Sequence, residues 1–241
     1  MERNPLIVIP AGIFEGGEES VIEAWRRAVE AGIGNVIVDC EDDAVAEAVG
    51  KAGAYIYRKG GEPDDTARNY RTSSGAERVA ATVNKFDRFY NHDIVVNLHG
   101  GLPGIDPALI RALMYPLASQ EVDIATLVEP VDDEQALDSE IVKVQVEWMT
   151  RRRIHVLAGS RVGRALNFSR DPAEIGGAPY YRHIPIYAYK RASLDRFVRA
   201  EPSLRELEER LEPMRAIENG MRVDVVMAAT EPDEPKTKPA K

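Results

Sequence analysis

The 241-residue sequence has one cysteine, no excess of basic residues and no apolar run of membrane-spanning length. A lone thiol, Cys40, excludes an intramolecular disulfide framework and a cysteine-type zinc site. Lys and Arg number 31 against 40 Asp and Glu, a formal charge of −9. That balance excludes a broad electrostatic footprint for nucleic-acid backbone and any polybasic membrane signal, although a local basic pocket can still take a small anion. The apolar stretch in "MERNPLIVIPAG" is too short for a secretory leader, so the reducing cytosol is the expected compartment.

What the chain does contain is an alternation of strand and helix signals. "PLIVIPA", Pro5 to Ala11, is a continuous branched run of the kind buried on both faces of a parallel sheet. Val21, Ile22, Trp25, Ala28 and Val29 then recur at helical spacing, with Ser20 and Glu23 reading as a capping box. "NVIVDC" is a second strand. A helix over 42–52, capped by Asp42 and ending near Gly53, leads to the strand "AYIYR". Ser74 and Glu77 form another capping box ahead of "GAERVAATVNKF". The strand in "VVNLHGGLPGIDP" follows, then a helix with Asp106 as N-cap, Pro107 at its first position and Leu109, Ile110, Leu113, Met114 and Leu117 as its buried stripe.

The second half changes texture. "DIATLVEPV", "IVKVQVEW", "RIHVLAG", "ALNFS" and "HIPIYAYKR" are closely spaced strand candidates, followed by the helix "SLDRFVRA" and a longer helical run from Ser203 to Asn219 that Pro213 should bend or break. Gly220 is a stop signal, "RVDVVMA" a last strand, and the Pro- and charge-rich 230–241 a tail expected to be disordered. The sum is an α/β chain: a three-layer sandwich around a mostly parallel sheet with an antiparallel or mixed extension, one domain over 1–229.

The segments "IVIPAG", "SSGAERVA", "VVNLHGGLPGIDP", "IATLVEPV", "ALNFSR", "YYRHIPIYAYKRASLDRFV" and "LEPMRAIENGMRVDVV" fall in one collinear order. That series resembles the CMP-Kdo synthetases, the 3-deoxy-manno-octulosonate cytidylyltransferases, over about residues 5 to 227. The resemblance implies a nucleotidyltransferase fold, usually dimeric, that moves CMP from CTP to a hydroxyl of the acidic sugar Kdo with Mg²⁺, for lipopolysaccharide assembly. On the nucleotide side it points to Gly12, Arg78 and His99. On the sugar-acid side it points to Ser169, Arg170, Arg182, His183, Tyr187, Glu209 and Glu212, with Arg215 also matching. An arginine beside a sugar acid makes physical sense, because its fork suits a carboxylate bidentately.

The sequence departs from the family where charge matters most. Gly12 stands for the first arginine of a basic triphosphate loop, and the acids Glu15, Glu18 and Glu19 follow it. The family pattern Val-Gln-Gly-Asp-Glu-Pro becomes "NLHGGLP", so His99 replaces the ligand-contacting glutamine and Gly101 the magnesium-holding aspartate. A second metal carboxylate, in the family's Gly-Val-Asp-Thr-Pro-Glu, has no counterpart after Ala228; Asp233 is a poor substitute. Pro213 takes the place of a sugar-binding glutamine in Glu-Ser-Leu-Glu-Gln-Leu-Arg.

Two functions of different class follow. In one, cytidylyl transfer is lost or strongly reduced and the chain binds an acidic sugar or nucleotide, as a homodimer or paired with an active relative. In the other, it remains a Mg-dependent cytidylyltransferase in which acids such as Asp39 or Glu41, or a partner subunit, replace the missing ligands. Motif loss alone favours the first. A sugar transferase using "DCEDD", Asp39 to Asp43, as a metal-binding pair is a weaker third reading.

Overall fold

The computed structural model describes residues 3–11, 17–58, 74–153 and 161–228. Its elements, in chain order, are β1 (Pro5–Ala11), α1 (Gly17–Ala31), β2 (Asn35–Cys40), α2 (Asp43–Lys51), β3 (Tyr55–Tyr57), α3 (Gly75–Phe86), β4 (Ile94–Leu98), α4 (Pro107–Ala112), β5 (Ile124–Val131), α5 (Asp133–Ala136), β6 (Lys143–Arg153), β7 (Arg161–Ser169), β8 (Tyr180–Lys190), α6 (Arg191–Arg199), α7 (Leu204–Glu209), α8 (Glu212–Glu218) and β9 (Val223–Met227).

The nine strands form one sheet in the order β3-β2-β1-β4-β8-β5-β9-β7-β6. The first-half strands β3, β2, β1 and β4 pair in parallel. β8 then inserts antiparallel between β4 and β5, β9 lies parallel to β5, and β7 and β6 complete an antiparallel extension. The parallel half with its mixed extension matches the fold class read from the sequence. β1 shows why its run is apolar at every position: Ile7 and Ile9 pack into the core under α1, α2 and α4, while Leu6 and Val8 pack into the core under α3, α6 and α8. Side chains alternate across the pleat, so a strand with helices on both faces needs both sets apolar.

Local signals account for most boundaries. Asp42 caps α2 by accepting from the amides of Ala44 and Val45, and Ser74 and Glu77 form the expected capping box on α3. Asp106 caps α4 with Pro107 in its first turn; that helix ends at Ala112, ahead of a 3-10 turn begun by Pro116. The long helical run breaks where Pro213 requires it: α7 stops at Arg210, whose backbone is left-handed (φ 56°), and α8 restarts with Pro213 in its first turn.

Three expectations change. Ser20 does not cap α1, which begins at Gly17; the buried hydroxyl instead donates to the Gly100 carbonyl at 2.8 Å. α1 is thereby tied to the turn after β4. The strand expected at "RIHVLAG" falls mostly on 154–160, outside the described residues, as do Gly12 and the tail 230–241. "ALNFS" is only the end of the nine-residue β7.

Candidate functional site

The C-terminal ends of β1 and β4, the N-terminus of α3 and the start of α8 surround a cavity of about 460 Å³, lined by Arg78, Asn97, His99, Arg170, His183, Tyr187, Arg210 and Glu212 among others. A second cavity of about 700 Å³ adjoins it, sharing Val142, His183 and Pro185, and runs along the turn from Gly101 to Asp106 to Arg182 and Glu129. Ligand crevices at the carboxyl ends of parallel strands are the rule in open α/β sheets.

Arg78 is positioned by α3 but is not idle. Its Nε donates to Asp39 Oδ2 at 2.9 Å, and a terminal nitrogen donates to the carbonyls of Asp39 and Ala11. Thr82 donates to the same Asp39 oxygen. Asp39 is thus a buried, neutralised structural carboxylate, and Glu41 lies 4.0 Å from the same guanidinium. Asp42 is the α2 cap and Asp43 pairs with Arg58, so "DCEDD" forms no metal-binding pair.

His99 accepts the Gly101 amide on Nδ1 at 3.1 Å, which leaves the neutral ring's proton on Nε2. Although the residue is exposed overall, desolvation of its ring holds its pKa below the usual histidine value. His183 is held down to about 3, entirely by burial. Thr126 Oγ1 spends its one proton on the Ile186 carbonyl at 2.7 Å, so it accepts from His183 Nε2 at 3.0 Å. Both imidazoles are therefore neutral hydrogen-bonding groups at pH 7.

Glu212 presents its carboxylate to the head of α3. It accepts the Ala76 amide at 2.9 Å and a hydrogen bond from Ser74; burial nevertheless raises its pKa. A Cβ on Gly75 would lie 3.4 Å from Asn97 Nδ2 and 3.5 Å from Glu212 Oε2, ordinary contact distances that place both side chains against the head of α3. Tyr187 is buried beneath it, its pKa pushed up first by burial and then by the Glu212 charge. Arg215 holds the wall behind: it is 2% exposed and donates to Glu206 on α7 and Glu77 on α3.

The proposed residues do not all converge. Arg78, His99, Arg170, His183, Tyr187 and Glu212 share the smaller cavity, although the sequence assigned them to two sides. Arg182 lines the larger cavity, paired with Glu129, and Gly101 lies on its floor. Ser169 and Glu209 line neither. Ser169 is buried in a bond to Glu174, and Glu209 pairs with Arg205 on its own helix. Sequence reasoning missed Asn97 and Arg210. Asn97 had a signal, a polar residue inside a buried apolar strand. Arg210 had none beyond its place before Pro213.

Magnesium, which the resemblance implies, finds no uncommitted carboxylate at the family's positions among the described residues. Among the described residues no three His, Cys, Asp or Glu side chains gather closely enough to hold a metal ion. Asp39 is committed to Arg78, Glu129 to Arg182, and position 101 carries no side chain.

The cleft at the strand ends marks an open α/β sheet protein, and its structural neighbours place the fold in the nucleotidyltransferase type. A UDP-glucose pyrophosphorylase complexed with UDP-glucose shares the fold at 10% identity, TM-score 0.60 over 95% of this chain and 92% of that one. A family model described as Cytidylyltransferase matches residues 21–223. The 3-deoxy-manno-octulosonate cytidylyltransferase of Paramagnetospirillum magneticum is 40% identical over 96% of this chain and 92% of its own. A CMP:2-keto-3-deoxy-manno-octonic acid synthetase complexed with CTP superposes with TM-score 0.73 at 27% identity, covering 95% of this chain and 92% of that one. The chain belongs to the CMP-Kdo synthetase family of cytidylyltransferases.

Proposed function

We propose that the chain transfers a cytidylyl group from CTP to a hydroxyl of a Kdo-type acidic sugar. In that step the sugar oxygen forms a bond to the α-phosphorus, the bond to pyrophosphate breaks, and the hydroxyl proton passes to solvent water. The observation that carries the reading is convergence: the α3 nucleotide element, Ser74, Gly75 and Arg78, and the sugar-side groups Arg170, His183, Tyr187 and Glu212 line one cavity. Relatives of nearly full-length similarity bearing the cytidylyltransferase name support transfer over the loss that the motifs alone suggest. Arg170 supplies a donor for developing charge on phosphate oxygens, where fixed donors act most strongly, and His99 lines the same cavity.

A second reading, binding without transfer, is favoured by one observation: the family's aspartate position is Gly101, and among the described residues no cluster of metal-binding side chains takes its place. The two separate in an assay of pyrophosphate release with CTP and Kdo in magnesium-containing buffer. Transfer gives release that needs both substrates, slow because a metal carboxylate is missing. Calorimetric binding of both ligands without release supports the second reading.

A further inference from the structure

We propose that Arg210 is an oxyanion-binding, specificity-determining residue of the smaller cavity. The proposal rests on the functional reading above, and the resemblance assigned this residue no role. Arg210 joins α7 to α8 and is exposed on the cavity wall. Its backbone is left-handed, φ 56° and ψ 41°. Only one other described non-glycine residue, Tyr90, has positive φ. A helix C-terminal position of this kind favours glycine or asparagine, because a Cβ crowds the neighbouring carbonyl. Arginine there is locally unfavourable, and strain of this kind clusters at ligand sites.

The charges of the cavity point the same way. Arg78 is neutralised by Asp39. Arg170 is anchored through one terminal nitrogen to the carbonyls of Ser139 and Glu140, and no carboxylate of the described residues forms an ion pair with it. Arg210 makes no hydrogen bond or ion pair among the described residues. Against these cations the described residues of the lining offer one carboxylate, Glu212, which burial biases toward its neutral form. The wall therefore presents two arginines of which one has an uncommitted fork, an arrangement suited to bidentate capture of a carboxylate or phosphoryl group.

The test is calorimetry of the full chain and of Arg210→Ser, Arg210→Lys and Arg210→Gly with CTP and with Kdo separately, and thermal melting of each variant. Loss of a charge-assisted bond weakens binding roughly 10- to 100-fold. Weakening confined to Kdo assigns Arg210 to the sugar carboxylate; weakening confined to CTP assigns it to phosphate. Either supports the proposal, provided Arg210→Gly melts no lower than the parent chain while losing affinity and Arg210→Lys keeps part of it. Unchanged affinity for both ligands in all three variants overturns it. A parent chain that binds neither ligand overturns the functional reading as well, so the two failures are distinct.

Discussion

Asp39 and His183 show how much of this site is decided by single side chains. Asp39 looks from sequence like a free acid at a strand end, but Arg78 and Thr82 claim it. Asp39→Asn strands a guanidinium that is only 17% exposed, which should cost about 3 kcal/mol, a Tm drop of roughly 6–12 °C. Thermal melting checks it; an unchanged Tm would mean the pair is merely superficial. His183 is partly buried and neutral, with its pKa lowered to about 3 against an ordinary 6.5. The unfolded chain binds that proton first, so stability is lost as pH falls from about 6.5 toward 3 and is fully present above. His183→Gln should flatten this part of the stability profile, measured by denaturant melts between pH 4 and 8. These pairings were not legible in the sequence, because which acid meets which arginine depends on residues 39 apart being brought together by the sheet.

At the scale of elements the sequence was far more informative. The capping residues Asp42, Ser74 with Glu77, and Asp106 act within three positions of where they stand, and the Pro213 break is equally local. Ser20 escaped because its hydroxyl is used across the fold, on Gly100, and no spacing rule encodes such a bond. The candidate site followed the same division. The α3 turn was readable, whereas Arg210 became visible only once α7 and α8 placed it on the cavity. Ser74→Ala removes the α3 cap and one donor to Glu212, so it should destabilise the chain by about 1 kcal/mol and weaken ligand binding, read by melting and calorimetry together.

For the whole molecule, the nine-stranded sheet with helices on both faces was foreseeable from the alternation of apolar runs and amphipathic helices. Its strand order was not, since β8, which begins at Tyr180, crosses back to lie between β4 and β5, which end at Leu98 and Val131. Charge distribution over the cleft is what sets its chemistry. Gly101 is not among the described glycines with a positive φ. Gly101→Asp restores a carboxylate beside the cleft and should raise cytidylyl transfer, checked by initial rates of pyrophosphate release; no increase would place the limit elsewhere. The most direct measurement is that same release by the unaltered chain, with CTP and Kdo each omitted in turn. Slow release that disappears when either substrate is left out is the expected result, and no release from a chain shown to hold both ligands would contradict the account.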